Sequence, residues 1–113
     1  MDVAGTPLTA TLDDNETARD FAAMLPLTLT LEDYASTEKI SYLPRKLSTT
    51  GAPAGTAASA GDVTYYAPWG NLALFYRDLE YSSGLVTLGA LHGGVEVLRR
   101  RGRLTVTIER IEE

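Results

Sequence analysis

The side chains best suited to hold a ligand are the aromatic rings of the segment Gly61–Tyr76, GDVTYYAPWGNLALFY. Five of the nine aromatic residues fall within it, namely Tyr65, Tyr66, Trp69, Phe75 and Tyr76. Rings with a polar edge suit a concave, partly wet pocket, and the same rings are common in a plain hydrophobic core. The segment therefore predicts a core cap or a ligand pocket, and we expect at least one ring to line a pocket.

Two β-rich runs, Val63–Tyr66 and Leu72–Tyr76, carry four of these rings, and the turn between them carries Trp69. Because successive side chains of a strand point to opposite faces, each run sends one ring to the core and one to the other face. Pro68 and Gly70 flank Trp69, and both residues are typical of turns. The tryptophan ring therefore need not be fully buried.

Residue types that carry other chemistries occur singly or at unsuitable spacing. His92 is the only histidine and there is no cysteine, so paired metal ligands and a thiol nucleophile are missing. Neither a G-x-S-x-G elbow nor a phosphate-binding glycine motif occurs. The acidic run Asp13–Glu16 is contiguous, which favours a helix cap over a calcium loop. We predict no catalytic residue, no metal site and no cofactor.

The charge balance bears on partners and location. The net charge is −5, which disfavours nucleic acid, and the arginines of segment 99–103 have no aromatic residue among them for base stacking. No apolar run approaches the ~18 residues that span a bilayer, and the first residues do not resemble a signal peptide. We expect a soluble, cytoplasmic protein without a membrane or nucleic-acid partner, and export with a removed signal stays open.

The elements that must position the rings are mostly strands. Alternation of threonine with aliphatic residues predicts strands at Leu8–Leu12, Leu27–Leu31 and Leu104–Ile108, the second interrupted by Glu32 and Asp33. Further predicted strands are Lys39–Leu43, Val63–Tyr66, Leu72–Tyr76 and Leu85–Leu91, the last with a bulge or close approach at Gly89.

The remaining segments are predicted as helices, loops and turns. A helix begins after Asp13–Asn15 and ends by Pro26, and Val95–Arg100 is a second, short helical candidate. Ser48–Gly61, built of small residues, predicts a long loop, and a turn is predicted at Tyr81–Gly84. We expect one domain over residues 1–113, with LTATL and LTVTI able to pair as the two ends of a closed sheet.

Four stretches together resemble a bacterial family of small cyclophilin-like domains of unassigned function. They are ATLDDNETARDFAAMLPLTLTLEDY (Ala10–Tyr34), EKISYLP (Glu38–Pro44), GDVTYYAPWGNLALFYRD (Gly61–Asp78) and SSGLVTLGAL (Ser82–Leu91). The run GD-x-x-YYAPWGN-x-x-x-FY is the most specific part. The resemblance implies a mainly β fold, a closed cyclophilin-like β-barrel of about eight strands with one or two short helices.

The best-known activity of that fold is peptidyl-prolyl isomerisation, which needs an arginine beside a proline pocket. The F-H-R signature of those enzymes is missing here, and neither Arg45 nor Arg77 matches it. The leading hypothesis is a non-catalytic domain that binds a small molecule or extended peptide. Its predicted ligand-binding residues are Glu38, Tyr42, Tyr66, Trp69, Asn71 and Tyr76. The alternatives are a divergent isomerase and an assembly module, for which a homodimer is one form.

Overall fold

The computed structural model describes residues 1–111. In this part of the chain there are eleven strands, one α-helix and one 3-10 helix. The strands are β1 (Asp2–Val3), β2 (Thr6–Pro7), β3 (Ala10–Leu12), β4 (Leu27–Tyr34), β5 (Glu38–Tyr42), β6 (Gly55–Ala58), β7 (Asp62–Tyr66), β8 (Asn71–Phe75), β9 (Leu79–Ser83), β10 (Leu85–Leu91) and β11 (Leu104–Ile108). The helices are α1 (Glu16–Ala22) and the 3-10 helix Val95–Arg99.

Nine of these strands form one antiparallel sheet in the order β2-β1-β11-β4-β5-β8-β7-β10-β3. Strands β6 and β9 form a separate two-stranded sheet. The predicted mainly β class is confirmed. Strands β10 and β11 have the bounds predicted for Leu85–Leu91 and Leu104–Ile108, and the 3-10 helix lies within the second predicted helical segment.

The predicted closed barrel is wrong, because the large sheet is open and ends on β2 and β3. These two edge strands are consecutive in the chain and are joined by Leu8 and Thr9. The predicted pairing of LTATL with LTVTI is also wrong, since β3 pairs with β10 while β11 lies between β1 and β4. The physical reason is the amino-terminal hairpin β1–β2, which occupies the edge of β11 that β3 would need.

Helix α1 begins as its sequence predicts. Asn15 is the N-cap, and its side-chain oxygen accepts a hydrogen bond of 2.8 Å from the backbone N–H of Ala18. Ala18 and Phe21 are buried in the main core, and the helix ends at Ala22, before Pro26. The predicted bulge at Gly89 is also present, because the β10–β7 register shifts there and a Cβ would overlap the backbone of Thr11.

Three local predictions are wrong. Strand β4 continues through Glu32 and Asp33 because these residues pair with β5, whereas the first part of β4 pairs with β11. The predicted loop Ser48–Gly61 contains β6, and the predicted turn Tyr81–Gly84 lies mostly in β9, its partner. Backbone pairing requires no large side chains, so a run of small residues can form a strand where a partner edge is offered. Strands β6 and β9 lie very close together at Gly55, since a Cβ there would overlap the backbone of Ser82.

The four central strands β5-β8-β7-β10 have two buried faces. One face contributes to the main core, with Tyr65, Leu72, Leu74 and Leu88 among its side chains. The other face lies under β6 and β9 and forms a smaller apolar cluster, whose members are Ala58, Ala73, Phe75 and Leu85, with Ile40, Tyr66 and Leu79 packed against it. The predicted division of the aromatic rings between two faces is therefore confirmed.

Candidate functional site

A cavity of about 240 Å³ lies on the outer face of these central strands. We call it the aromatic cavity. The turn between β4 and β5, the hairpin turn between β7 and β8, and strand β9 enclose it. Its lining residues are Tyr34, Ala35, Thr37, Glu38, Ile40, Tyr66, Trp69, Asn71, Phe75, Leu79, Ser82 and Leu85.

Strand register explains why the floor of the cavity has these residues. Tyr66 lies opposite Asn71 in the β7–β8 hairpin, and Glu38 lies opposite Phe75 in the β5–β8 pair. Asn71 and Phe75 are four positions apart on β8, so alternation places both on the same face. The same rule places Ile40, between Glu38 and Tyr42, on this face.

Three aromatic rings form a continuous row at the cavity. The ring of Trp69 makes edge-on contacts with Tyr34, at a centroid distance of 5.2 Å, and with Tyr66, at 5.3 Å. Such perpendicular contacts are the favoured geometry of aromatic pairs. The Trp69 side chain is still 44 % exposed. It therefore lies at the boundary between the cavity and solvent.

Backbone hydrogen bonds stabilise the turn that carries Trp69. The N–H groups of Trp69 and Gly70 both donate to the carbonyl oxygen of Tyr66, at 3.2 and 2.9 Å. Gly70 has a φ of 69°, a left-handed conformation that glycine adopts at little cost. Pro68 packs so closely on Gly84 that a Cβ at that position would meet the proline ring at 2.7 Å. Backbone hydrogen bonds within the turn and the packing of the Pro68 ring on Gly84 thus fix the position of Trp69.

Glu38 stands at one end of the floor with its carboxyl group half-buried. Among residues 1–111 this carboxylate has no ion-pair partner. Burial raises the pKa of Glu38 from 4.5 to about 7, because the charged form loses water and gains no compensating contact. The neutral form of this carboxyl group therefore persists to higher pH than it does in an exposed glutamate.

Asn71 stands at the other end of the floor and is 1 % exposed. Neither its side-chain oxygen nor its side-chain nitrogen has a hydrogen-bond partner within the described chain. An unpaired buried amide costs about 1–3 kcal/mol, and most buried polar side-chain atoms in proteins do have a partner. Asn71 thus offers one acceptor and one donor group that the fold itself leaves unused.

The two polar ends of the cavity are separated by apolar floor. Tyr42 faces Asn71 across the β5–β8 pair, and Tyr42 is four residues from Glu38. At about 3.4 Å per residue, the backbones of Glu38 and Asn71 are about 14 Å apart. Ile40 and its partner Ala73 lie midway between them along the strands, and Phe75 lies beside Glu38. The cavity is therefore elongated along the strands, polar at both ends and apolar in the middle.

Four of the six predicted ligand-binding residues line this cavity: Glu38, Tyr66, Trp69 and Asn71. The other two do not line it. Tyr42 lies on the same face of β5 but at the end of the strand, where its side chain is 62 % exposed. Tyr76 follows Phe75 and so turns to the opposite face, where it is buried in the main core. The hairpin register would have favoured Phe75 over Tyr76, since Phe75 shares a face with Asn71.

Lining residues that the sequence did not indicate come from distant parts of the chain. Tyr34 lies at the end of β4, directly opposite Glu38, and this pairing is visible only once the β4–β5 register is known. Leu79 and Ser82 belong to β9, which the sequence predicted to be partly a turn. A stretch of alternating residues at Leu79–Ser83 was the available signal, and it is weak because the run is short and mostly polar.

On the opposite face of β5 lies a polar network in which the groups are paired. The amine of Lys39, which is fully buried, donates to Asp33 Oδ1 at 2.8 Å and to the carbonyl oxygen of Gly102 at 2.6 Å. Asp33 also accepts from the N–H of Gly102 at 2.9 Å and from the hydroxyl of Tyr76 at 3.4 Å. The hydrogen bond from Lys39, chiefly, lowers the pKa of Asp33. This network ties the segment before β11 to β4 and β5.

Two other cavities are less suited to bind a ligand. One, of about 450 Å³, lies beside the start of α1, but Asn15 there caps the helix and also donates to the carbonyl of Thr87, and Glu16 accepts from Ser48. The other, of about 440 Å³, lies beside β3 and the segment after β11 and contains His92, whose ring contacts the hydroxyl of Thr11 at 2.5 Å. In both places the polar groups named have partners within the chain.

A model of the cyclophilin-like family matches residues 1–109. The chain belongs to the cyclophilin-like family. A search of curated proteins finds no match. The family resemblance read from the sequence is thus confirmed, and it fixes the kind of fold without assigning a role.

The residues that other functions would require can be placed in the structure as well. Neither Arg45 nor Arg77 lines the aromatic cavity, and Arg45 forms an ion pair of 2.8 Å with Asp20. Within residues 1–111, no three or more His, Asp and Glu side chains lie close enough together to hold a metal ion. In the same part of the chain, no helix is both long and apolar enough to cross a membrane.

Proposed function

We propose that this cyclophilin-like domain is a non-catalytic binding module that holds a small molecule or an extended peptide in the aromatic cavity. The observation that carries the proposal is Asn71, a buried amide whose oxygen and nitrogen both lack a partner in the described chain. A ligand that pairs with this amide would remove the cost of leaving it unsatisfied.

The surroundings of Asn71 support the same proposal. Binding sites for small molecules are concave, mostly apolar and supplied with a few convergent polar groups. The aromatic cavity has an apolar floor, a row of three rings and two polar side chains without partners in residues 1–111, Glu38 and Asn71. An extended peptide also fits this description, because the cavity runs along the strands over about 14 Å, the length of four extended residues.

Trp69 allows a direct test, because it is the single tryptophan of the chain. We would screen metabolites and short peptides by tryptophan emission and by melting temperature. A ligand of the aromatic cavity should shift the Trp69 emission and raise the melting temperature, since a ligand that binds only the folded state stabilises it. A broad screen that moves neither signal would contradict the proposal.

Matched variants test whether a compound that gives a signal in this screen binds in the aromatic cavity. Replacement of Tyr34, which contacts Trp69 edge-on, by Ala should weaken binding at least fivefold. Replacement of Tyr42, an equally large but 62 % exposed tyrosine outside the cavity, should leave binding unchanged. If Tyr42→Ala weakens binding as much as Tyr34→Ala does, the compound does not occupy the aromatic cavity.

A further inference from the structure

The two ends of the aromatic cavity require different partners, and this difference narrows the class of ligand. The inference rests on the proposed function, since it concerns what occupies that same cavity. The end formed by Asn71 offers a carbonyl oxygen and an NH₂ group. A single amide group on the ligand satisfies both, because it also carries one acceptor and one donor.

At the other end, Glu38 presents a half-buried carboxyl group without an ion-pair partner in residues 1–111. Among the described residues, no positively charged side chain lines the cavity. A protonated amine on the ligand would supply the missing charge and form charge-assisted hydrogen bonds, which are stronger than neutral ones. Tyr34 pairs with Glu38 between β4 and β5, and its ring adds a surface that attracts cations.

The distance between the two ends sets the length of the ligand. Strand side chains stand roughly perpendicular to the sheet, so the separation of about 14 Å applies to the polar ends of the cavity as well. Subtracting one hydrogen bond of about 3 Å at each end leaves about 8 Å between the amine and the amide. An extended alkyl chain of about five methylenes has this length.

The middle of the cavity suits such an alkyl chain. Ile40, opposite Ala73, lies midway between the two ends, and Phe75 and Leu85 continue the apolar floor toward the Glu38 end and the Asn71 end. Each methylene that is removed from water on binding favours the bound state. We infer that the aromatic cavity binds an extended ligand that carries a protonated amine at the Glu38 end, an amide at the Asn71 end and an apolar spacer of about 8 Å.

Three simple probes test this inference: 6-aminohexanamide, hexanamide, which lacks the amine, and hexylamine, which lacks the amide. Each is titrated at pH 8 into the full chain labelled with ¹⁵N. The side-chain NH₂ signals of Asn71 and the indole N–H signal of Trp69 report binding at the cavity. We expect 6-aminohexanamide to bind at least tenfold more tightly than either of the other two probes.

Matched variants test whether the amine of the probe lies at Glu38 and its amide at Asn71. Glu38→Gln keeps the shape and removes the charge, so it should weaken 6-aminohexanamide about tenfold and leave hexanamide unchanged. Asn71→Leu should weaken the same probe and leave hexylamine unchanged. Glu96→Gln, outside the cavity, should change nothing. Because hexanamide and hexylamine report on folded cavities in the variants, a variant that merely misfolds is recognised by the loss of both.

The outcomes separate this inference from the proposed function. Equal affinity for 6-aminohexanamide and hexanamide would overturn the inference, while hexanamide binding at Asn71 would leave the binding function supported. If no probe binds but a compound from the ligand screen does, the inference is wrong and the binding function stands. If neither the probes nor the screen gives a ligand, both are contradicted.

Discussion

Glu38 and Lys39 are neighbours on β5, yet their side chains lie on opposite faces of the sheet and meet opposite surroundings. Lys39 is fully buried, and its amine bonds to Asp33 and to the carbonyl of Gly102. Glu38 is half-buried in the aromatic cavity and has no ion-pair partner in the described chain. The charged side chain on one face of β5, Lys39, thus has partners, whereas Glu38 on the other face has none in the described chain.

This difference distinguishes a structural polar cluster from a candidate binding site. A satisfied network such as Lys39–Asp33 holds segments in register, and removing one member leaves the other buried without a partner. Unsatisfied groups such as Glu38 and Asn71 contribute nothing of this kind to the fold and cost free energy when no ligand is bound. Substitutions on the two faces should therefore change stability in opposite directions.

The largest effect is expected from Asp33→Asn, which removes the charge that faces Lys39. We expect the free energy of unfolding to fall by about 2–3 kcal/mol at pH 7. This value is at the low end for a buried ion pair, because the Asp33 side chain is 37 % exposed. Urea unfolding measures this change. The hydrogen bond from Lys39 lowers the pKa of Asp33, so the contribution is present above the ordinary pKa of 3.8 and is lost as the pH falls.

Glu32→Gln is the control for this substitution, because Glu32 precedes Asp33 and pairs with Arg103 at the surface. An exposed pair of this kind contributes less than about 1 kcal/mol. If Glu32→Gln destabilises the protein as much as Asp33→Asn does, burial of Lys39 is not the cause.

Glu38→Gln should have a smaller effect of the opposite sign. Burial raises the folded-state pKa of Glu38 to about 7, above the ordinary 4.5, so folding favours the protonated form. That stability is fully present below pH 4.5 and is lost as the pH rises through 7. Gln resembles the protonated form at every pH. The variant should therefore exceed the parent protein by about 1–2 kcal/mol at pH 8, after allowance for partial exposure, and match it at pH 4.5.

Unfolding in urea at pH 4.5, 6 and 8 would show this trend. Glu96→Gln serves as the control and should show no comparable dependence on pH. A parent protein that grows more stable than Glu38→Gln as the pH rises would mean that the Glu38 carboxylate has a partner in solution.

The smallest effect on stability is expected from Asn71→Leu, which replaces the amide by an apolar group of similar size. Removing an unpaired buried amide relieves its cost, partly offset by imperfect packing of the new side chain, so we expect a gain of no more than about 1 kcal/mol, measured by urea unfolding. The same substitution should abolish the Trp69 emission response to ligands that use the amide. A loss of more than 2 kcal/mol would show instead that Asn71 holds the β7–β8 hairpin together.

Much of the fold could be predicted from short-range pattern. The alternation in LTVTI gave the bounds of β11, and the residues before α1 indicated the Asn15 cap. These features depend on residues close in the chain, whose side-chain period and capping chemistry are local. Strand β6 was missed for the opposite reason, because its small residues form a strand only against β9.

The candidate site was predicted only in part, for a similar reason. Composition indicated Tyr66 and Trp69, and these two residues do share a cavity with Glu38 and Asn71. Tyr34 was not indicated, since it reaches Trp69 only through the register between β4 and β5. Aromatic content identifies a region, whereas the lining of a cavity depends on pairing between distant strands.

The sequence by itself determined the strand periodicity, and with it the rule that Glu38 and Lys39 face opposite sides of β5. Only the tertiary structure decided which of the two charges would find a partner. Lys39 meets Asp33 and Gly102, the latter more than sixty residues away, because the segment before β11 folds against β4 and β5. Glu38 meets no opposite charge within residues 1–111, because β9 covers that face and contributes only Leu79 and Ser82 to the lining. Partners and burial are properties of chain segments brought together from afar, and a local pattern does not contain them.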